Sequence, residues 1–268
     1  MPRAVLLALL LFLLPAAAWP YTSPSVFLEE LTWTEVRDAV KAGKTTIIVP
    51  IGGTEQSGPH IALGKHNARV HFLAGRIAAA LGDSLVAPVL AYVPEGSPSP
   101  PTEHMRFPGT ISIPESTFEE ILIATGRSMR RHGFKEVVFI GDHGGYQRAM
   151  KRAAAALNRE LAGSGVRAHA IEEYYSAMSA EYAKALAARG FADDEIGTHA
   201  GLADTSLTLA IDPSLVRADR LRDSNTKEEG VSGDPERSST DLGKIGVDLV
   251  VKRTTDAIRA ARSGGNGY

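Results

Sequence analysis

The run Thr45-Thr46-Ile47-Ile48-Val49-Pro50-Ile51-Gly52-Gly53 decides the fold. It is apolar and β-branched without alternation, the pattern of a strand buried on both faces, and the paired glycines close it. Residues 137–140, Val-Val-Phe-Ile, repeat the pattern and also end in glycine. Further strands are expected over 85–93 and 166–171, with a short one over 110–113. Between them lie helical periods. One runs from the Leu31-Thr32 region to near Gly43 with Thr34 as its cap. The next covers 70–81 with Gly82 as its stop, and another covers 116–132 with Ser116 as its cap. Helices follow over 146–161, 174–189 and 204–211, then a polar loop over 223–243 and a closing helix over 247–262. Strands alternating with helices of this length predict an α/β fold, a three-layer αβα sandwich on a mostly parallel sheet.

The ends of the chain read differently. Arg3, the apolar stretch 5–14 and Ala16-Ala17-Ala18 form the charged, apolar and small-residue parts of a signal peptide, cleaved after Ala18. The stretch is shorter than the ~20 residues that span a bilayer. The expectation is therefore a periplasmic or secreted protein with no stable membrane insertion after cleavage. Residues 1–18 form the signal, 19–262 one domain and 263–268 a flexible glycine-containing tail.

Composition narrows the chemistry. The sequence has no cysteine, so disulfides, thiol catalysis and cysteine-ligated zinc are excluded. Any metal must sit on His, Asp, Glu and water. With 29 basic against 31 acidic residues and no basic stripe, nucleic acid is not an expected partner.

In a parallel sheet, sites form beyond the carboxyl ends of the strands. Both loops that meet this rule are rich in chemistry. After the first strand comes Thr54-Glu55-Gln56-Ser57-Gly58-Pro59-His60, continuing to His66; after 137–140 comes Gly141-Asp142-His143-Gly144-Gly145-Tyr146. Glu and His together suit a divalent ion: zinc first, manganese or iron as alternatives. Polar surface loops with chance histidines are the plainer reading of each cluster, but a carboxylate and two histidines directly behind a core strand favour function. The glycine turn lacks the Lys-Ser/Thr of a phosphate-binding loop and the dinucleotide fingerprint. A third cluster is His199-Ala200-Gly201-Leu202-Ala203-Asp204-Thr205-Ser206. Asp204 stands near a helix start, where an acidic residue also serves as a cap. His71, His132 and His169 are read as structural. His104, in the proline-rich loop 94–108, is read as solvated, and that loop, from Glu95 to Arg106, as shaping the pocket.

Taken together, these three clusters resemble the creatininase (creatinine amidohydrolase) family. The family's T-E-Q-H-G-P-H-L-P-L-G-T-D is similar to Thr54–His66, its N-G-H-G-G-N to Gly141–Tyr146, and its H-A-G-E-x-E-T-S to His199–Ser206. The resemblance implies an αβα sandwich, often a homo-oligomer, whose divalent metal centre hydrolyses C–N bonds of small amides. It makes Glu55 and His143 metal ligands, Asp204 the acidic position of the third motif, and His199 an acid/base group. The chain departs from the pattern where Ser57 replaces a metal-binding His and His66 replaces a metal-bridging Asp. Leu202 replaces a further acidic residue. One metal or a rearranged pair is therefore expected. The expected ligands are Glu55, His66, His143 and Asp204, with His199 and Asp204 catalytic. Ser57, His60, Asp142 and Tyr146 are expected beside a small-molecule substrate. The rivals are a non-catalytic binding protein on the same fold and a phosphoester hydrolase, which the scarcity of Lys and Arg near the clusters disfavours.

Overall fold

The computed structural model describes residues 25–223 and 227–264; the expected signal peptide and residues 265–268 of the tail lie outside them. Strand β1 (Thr46–Ile51) is buried along its whole length. It pairs with β2 (Ser84–Val86) on one side and β3 (Glu136–Gly141) on the other, and β4 (Arg167–Ala170) completes the sheet in the order β2-β1-β3-β4. Every one of these pairings is parallel.

Alternate residues of the strands face opposite layers. Ile48, Val86, Val138 and Ile140 pack beneath α2 (Lys65–Leu81), α8 (Leu202–Ile211) and α9 (Thr240–Ser263). Ile47, Val49, Val137 and Phe139 pack against α3 (Glu115–Arg131) and α4 (Gln147–Glu160), with α1 (Trp33–Lys41) at the margin. The short helices α5 (Glu173–Ser176), α6 (Tyr182–Ala187) and α7 (Asp193–Ile196) join the first layer to its outer loops. Burying an Ile or Val contributes about 1.5–3 kcal/mol, against about 1 net for a hydrogen bond. The side chains, more than the ladder, therefore fix the register. The expected three-layer αβα sandwich is what forms.

Pro50 stands inside the central strand, a position proline normally avoids. Its carbonyl accepts from Leu90 N, on the side where β2 has already ended at Val86. The missing N–H falls on that same side, so no ladder bond is lost.

Several boundaries shift, each for a local reason. The strand expected over 85–93 stops at Val86, since Pro88 breaks the ladder and only a single bridge, Ile51 to Leu90, resumes it. Residues 110–113 form one bridge, Ser112 to Val93, rather than a strand. The cap of α1 is Thr32, not Thr34: it accepts from Glu35 N and Glu35 reaches back, a complete capping box. Pro114, not Ser116, precedes α3. Helix α2 starts at Lys65, five residues ahead of expectation, because its polar first turn faces the interior instead of water. The loop expected over 223–243 ends at Ser239, which caps α9 through Leu242 N, and Ser263 closes that helix instead of opening a tail.

Gly243, in the first turn of α9, lies directly against α8. A Cβ there would collide with the Ser206 carbonyl oxygen, a backbone atom that cannot rotate aside. Gly243→Ala is expected to cost about 2–3 kcal/mol, read as a lower urea midpoint at unchanged slope.

Candidate metal centre

The chain leaves β1 for β2 on one side and reaches β3 on the other. Where connections diverge in this way, the loops at the carboxyl ends open a crevice. Glu55 enters it from the loop after β1 and His143 from the turn after β3. The proline-rich loop brings Glu95 and His104. Gly53, at φ +154, admits that loop: a Cβ there would sit 2.7 Å from Glu95 Oε1. Ser112 secures it by accepting from Glu95 N (2.9 Å) and donating to the Gly96 carbonyl (2.7 Å).

Glu55, Glu95, His104 and His143 each offer one ligand atom, and those atoms all lie within 4.8 Å of one another. Glu55 Oε2 is 3.1 Å from His104 Nε2 and 3.5 Å from His143 Nε2, yet has no aligned hydrogen-bond donor. Glu95 is 2% exposed and neither of its oxygens has a hydrogen-bond partner, although His143 Nδ1 stands 3.3 Å from Oε2. Burial, then the Glu55 charge, push the Glu95 carboxyl up to about 10. Burial also pushes His143 down to about 4 and lowers His104, so both rings are neutral at pH 7. A buried carboxylate, Glu55, and a buried carboxyl group, Glu95, whose proton a cation would displace, converge with two neutral imidazoles. The donor set fits a divalent ion.

A second network adjoins the first. Lys65, His66 and Arg69 rise from the start of α2 and are almost fully buried. Arg69 donates through Nε and Nη2 to Asp142 and through Nη1 to Asp204; Lys65 Nζ pairs with Asp204. Tyr174 donates to Asp142 Oδ2 at 2.7 Å. Burial would raise Asp142 and Asp204, but Arg69 with His66 holds the first, and Lys65 with Arg69 the second, below the usual carboxylate range.

This network holds two of the expected ligands, His66 and Asp204. His66 has both ring nitrogens engaged, one 2.6 Å from Glu55 Oε1 and the other on Asp142. Asp204 spends its oxygens on Lys65, Arg69 and Ala200 N (2.8 Å). The expected substrate contacts shift as well. The Tyr146 hydroxyl is buried: it donates toward the Ile51 and Gly52 carbonyls (2.9 and 2.7 Å) and accepts from His143 N (3.0 Å), which ties the two loops together. His60 lies 3.0 Å from Thr205 Oγ1 with no exposure, and Ser57 Oγ is buried without a partner. Asp142 does border a cavity, but with its oxygens engaged.

That cavity has a volume of about 320 Å³ and is bordered by Lys65, Arg69, His199 and the apolar Met178, Tyr182 and Leu207. Met178 belongs to a π-helical turn, Ala177–Glu181, a distortion frequent at functional sites. His199 stands with Nδ1 3.8 Å from Glu55 Oε1. Its Nε2 lies 3.1 Å from the Gln56 amide nitrogen, which is also 3.0 Å from His104 Nδ1. Burial and Lys65 push His199 down to about 3. A second cavity, about 460 Å³, holds Glu95 and Glu103. His104 and His143 border both cavities, so the candidate centre stands between them.

Sequence reasoning missed Glu95, and it read His104 as solvated, whereas His104 faces Glu55. Neither carried a local signal beyond the length of their loop. Their place depends on contacts between segments far apart in the sequence, Thr54 with Ile111 and Glu55 with Glu95.

The family model for creatininase, creatinine amidohydrolase, matches residues 29–258. A mycofactocin precursor peptide peptidase of Mycolicibacterium smegmatis is 29% identical over 244 residues, 82% of this chain and 87% of that protein. Creatinine amidohydrolase of Pseudomonas putida is 28% identical over 259 residues, 88% and 97% of the two chains. A solved creatininase mutant of Zn–Zn type superposes with a TM-score of 0.73 at 27% identity, covering 89% of this chain and 99% of that one. A manganese creatininase does so with the same score and identity over 88% and 98%.

Proposed function

The chain belongs to the creatininase family, and from that premise we propose that it hydrolyses an amide or related C–N bond of a small molecule with a divalent metal, zinc or manganese. The observation that carries the reading is the convergence of two buried carboxyl groups, Glu55 and Glu95, with two neutral imidazoles, all four ligand atoms within 4.8 Å of one another. In this reading Glu55, Glu95, His104 and His143 hold the ion. A divalent ion bound there supplies Lewis-acid polarisation of a carbonyl and acidification of water.

The rest of the work falls to the chain's own side chains. Glu55 is held ionised by His66 and Lys65 against the effect of burial. His199, at the cavity wall with Nδ1 3.8 Å from Glu55 Oε1, is the group placed to exchange a proton with the reacting centre. The apolar wall of Met178, Tyr182 and Leu207 keeps water from the acyl side and strengthens the polar contacts inside. Arg69 and Lys65 keep Asp204 fixed behind that wall.

The expected signal peptide supports placing the enzyme in the periplasm or outside the cell. Among the described residues no helix is long and apolar enough to cross a membrane. The family resemblance supports a homo-oligomer, which light scattering checks.

The test is amine release from N-acyl amino acids, cyclic amides and short peptides, after chelation and after zinc or manganese is returned. Turnover restored by metal and absent in His143→Ala supports the proposal. A metal-loaded protein that turns over none of them is a binding protein instead. The ligand assignment has its own check by competition with a metal chelator. Glu95→Gln is expected to weaken the ion at least about tenfold, and Asp204→Asn to leave it nearly unchanged.

A further inference from the structure

Glu55 has two faces. Oε2 looks toward Glu95, His104 and His143. Oε1 looks toward α2 and α8, where a different kind of group waits. Lys65 is 1% exposed; its ammonium pairs with Asp204 and lies 3.7 Å from Glu55 Oε1. His199 Nδ1 is 3.8 Å from the same oxygen. Two carboxylates, Glu55 and Asp204, thus flank the Lys65 ammonium, with His199 beside Glu55, residue types that also ligate divalent ions.

Lysine is rarely buried unless its charge is matched, and here two carboxylates match it. Its position on α2 is rigid: the helix is continuous to Leu81, and Arg69, one turn on, grips the same Asp204. His66 takes the remaining approach to Oε1. No open lone pair faces a second ion on this side.

We infer that Lys65 is a built-in cation standing where a second divalent ion would otherwise bind, so that the centre holds a single ion, on the Glu95 side. The inference rests on the metal-dependent reading for that one ion and adds the count and its cause. Lys65 is a positioning residue: it fixes Glu55 and Asp204 and bars the second ion.

Native mass spectrometry with elemental analysis of tag-free protein, equilibrated with excess zinc, tests it. The wild type is expected to carry about one ion per chain, and Lys65→Met about two, since Glu55 Oε1, Asp204 and His199 then face each other with no cation between them. Should Lys65→Met fail to fold by circular dichroism, Lys65→Gln gives the same readout, because it removes the charge but keeps a donor for Asp204. Two ions in the wild type overturn the inference and leave the hydrolase reading intact. One ion in both wild type and variant overturns the role of Lys65. No ion in the wild type overturns the metal reading and the inference with it.

Discussion

Glu55→Gln is expected to abolish amide hydrolysis and metal retention together while leaving the fold in place. The side chain is fully buried at the end of β1 and is the one group that touches both networks. A carboxamide fits the same space and still accepts from His66 Nε2, so packing is kept. What it loses is the negative charge that draws a cation toward Oε2. Disturbing groups that merely support a ligand costs about 10–100-fold in affinity or activity. Loss of a ligand charge is therefore expected to cost on the order of 10³-fold or more in kcat/KM. Circular dichroism and the urea midpoint should stay near wild type while bound metal falls to background. Retained metal with activity within about tenfold would show that Glu55 is not a ligand.

The second large effect falls on stability. Arg69→Met is expected to remove about 3–5 kcal/mol, the cost of breaking a buried ion pair from one side. Since whole domains are stable by only about 5–15 kcal/mol, the variant should melt far below wild type or fail to accumulate. Arg69 is 1% exposed and serves two carboxylates, the buried Asp142 and the half-buried Asp204. The pH dependence has a definite sign. Both carboxyls are held below their ordinary value in the folded chain, and an unfolded Asp titrates near 3.9. Their contribution is thus complete above about pH 4 and drains as pH falls through the lower folded values. Acid should erode the wild type more than the variant, because a protonated Asp needs no cation. Urea melts at pH 7 and at about pH 2.5 read this directly: the gap between the two proteins should narrow at the lower pH.

The sandwich was legible because its cause is local. The run at β1 and the Val-Val-Phe-Ile run at β3 are apolar without alternation, and only a sheet covered on both faces accepts such strands. Chain order and strand polarity then put the loops after Ile51 and Gly141 side by side, which made Glu55 and His143 visible as neighbours. What stayed hidden has a common origin. The start of α2 reads as a polar loop, since Lys65, His66 and Arg69 look like surface residues until Asp142 and Asp204 arrive from distant segments to pair with them. Spacing offered His66 and Asp204 as ligands by residue type, and it could not show that each is engaged by partners from distant segments. Glu95 and His104 are the converse: no periodicity marks them, and only the closed loop over Gly53 brings them to Glu55.

The chemistry rests on the four-residue group of Glu55, Glu95, His104 and His143. Anomalous diffraction at the zinc edge from zinc-soaked crystals tests it most directly. A single peak at about 2.0–2.2 Å from carboxylate oxygens of Glu55 and Glu95 and ring nitrogens of His104 and His143 is predicted. A peak against His66 and Asp204 with Glu95 turned away, or no peak at all, would contradict the account.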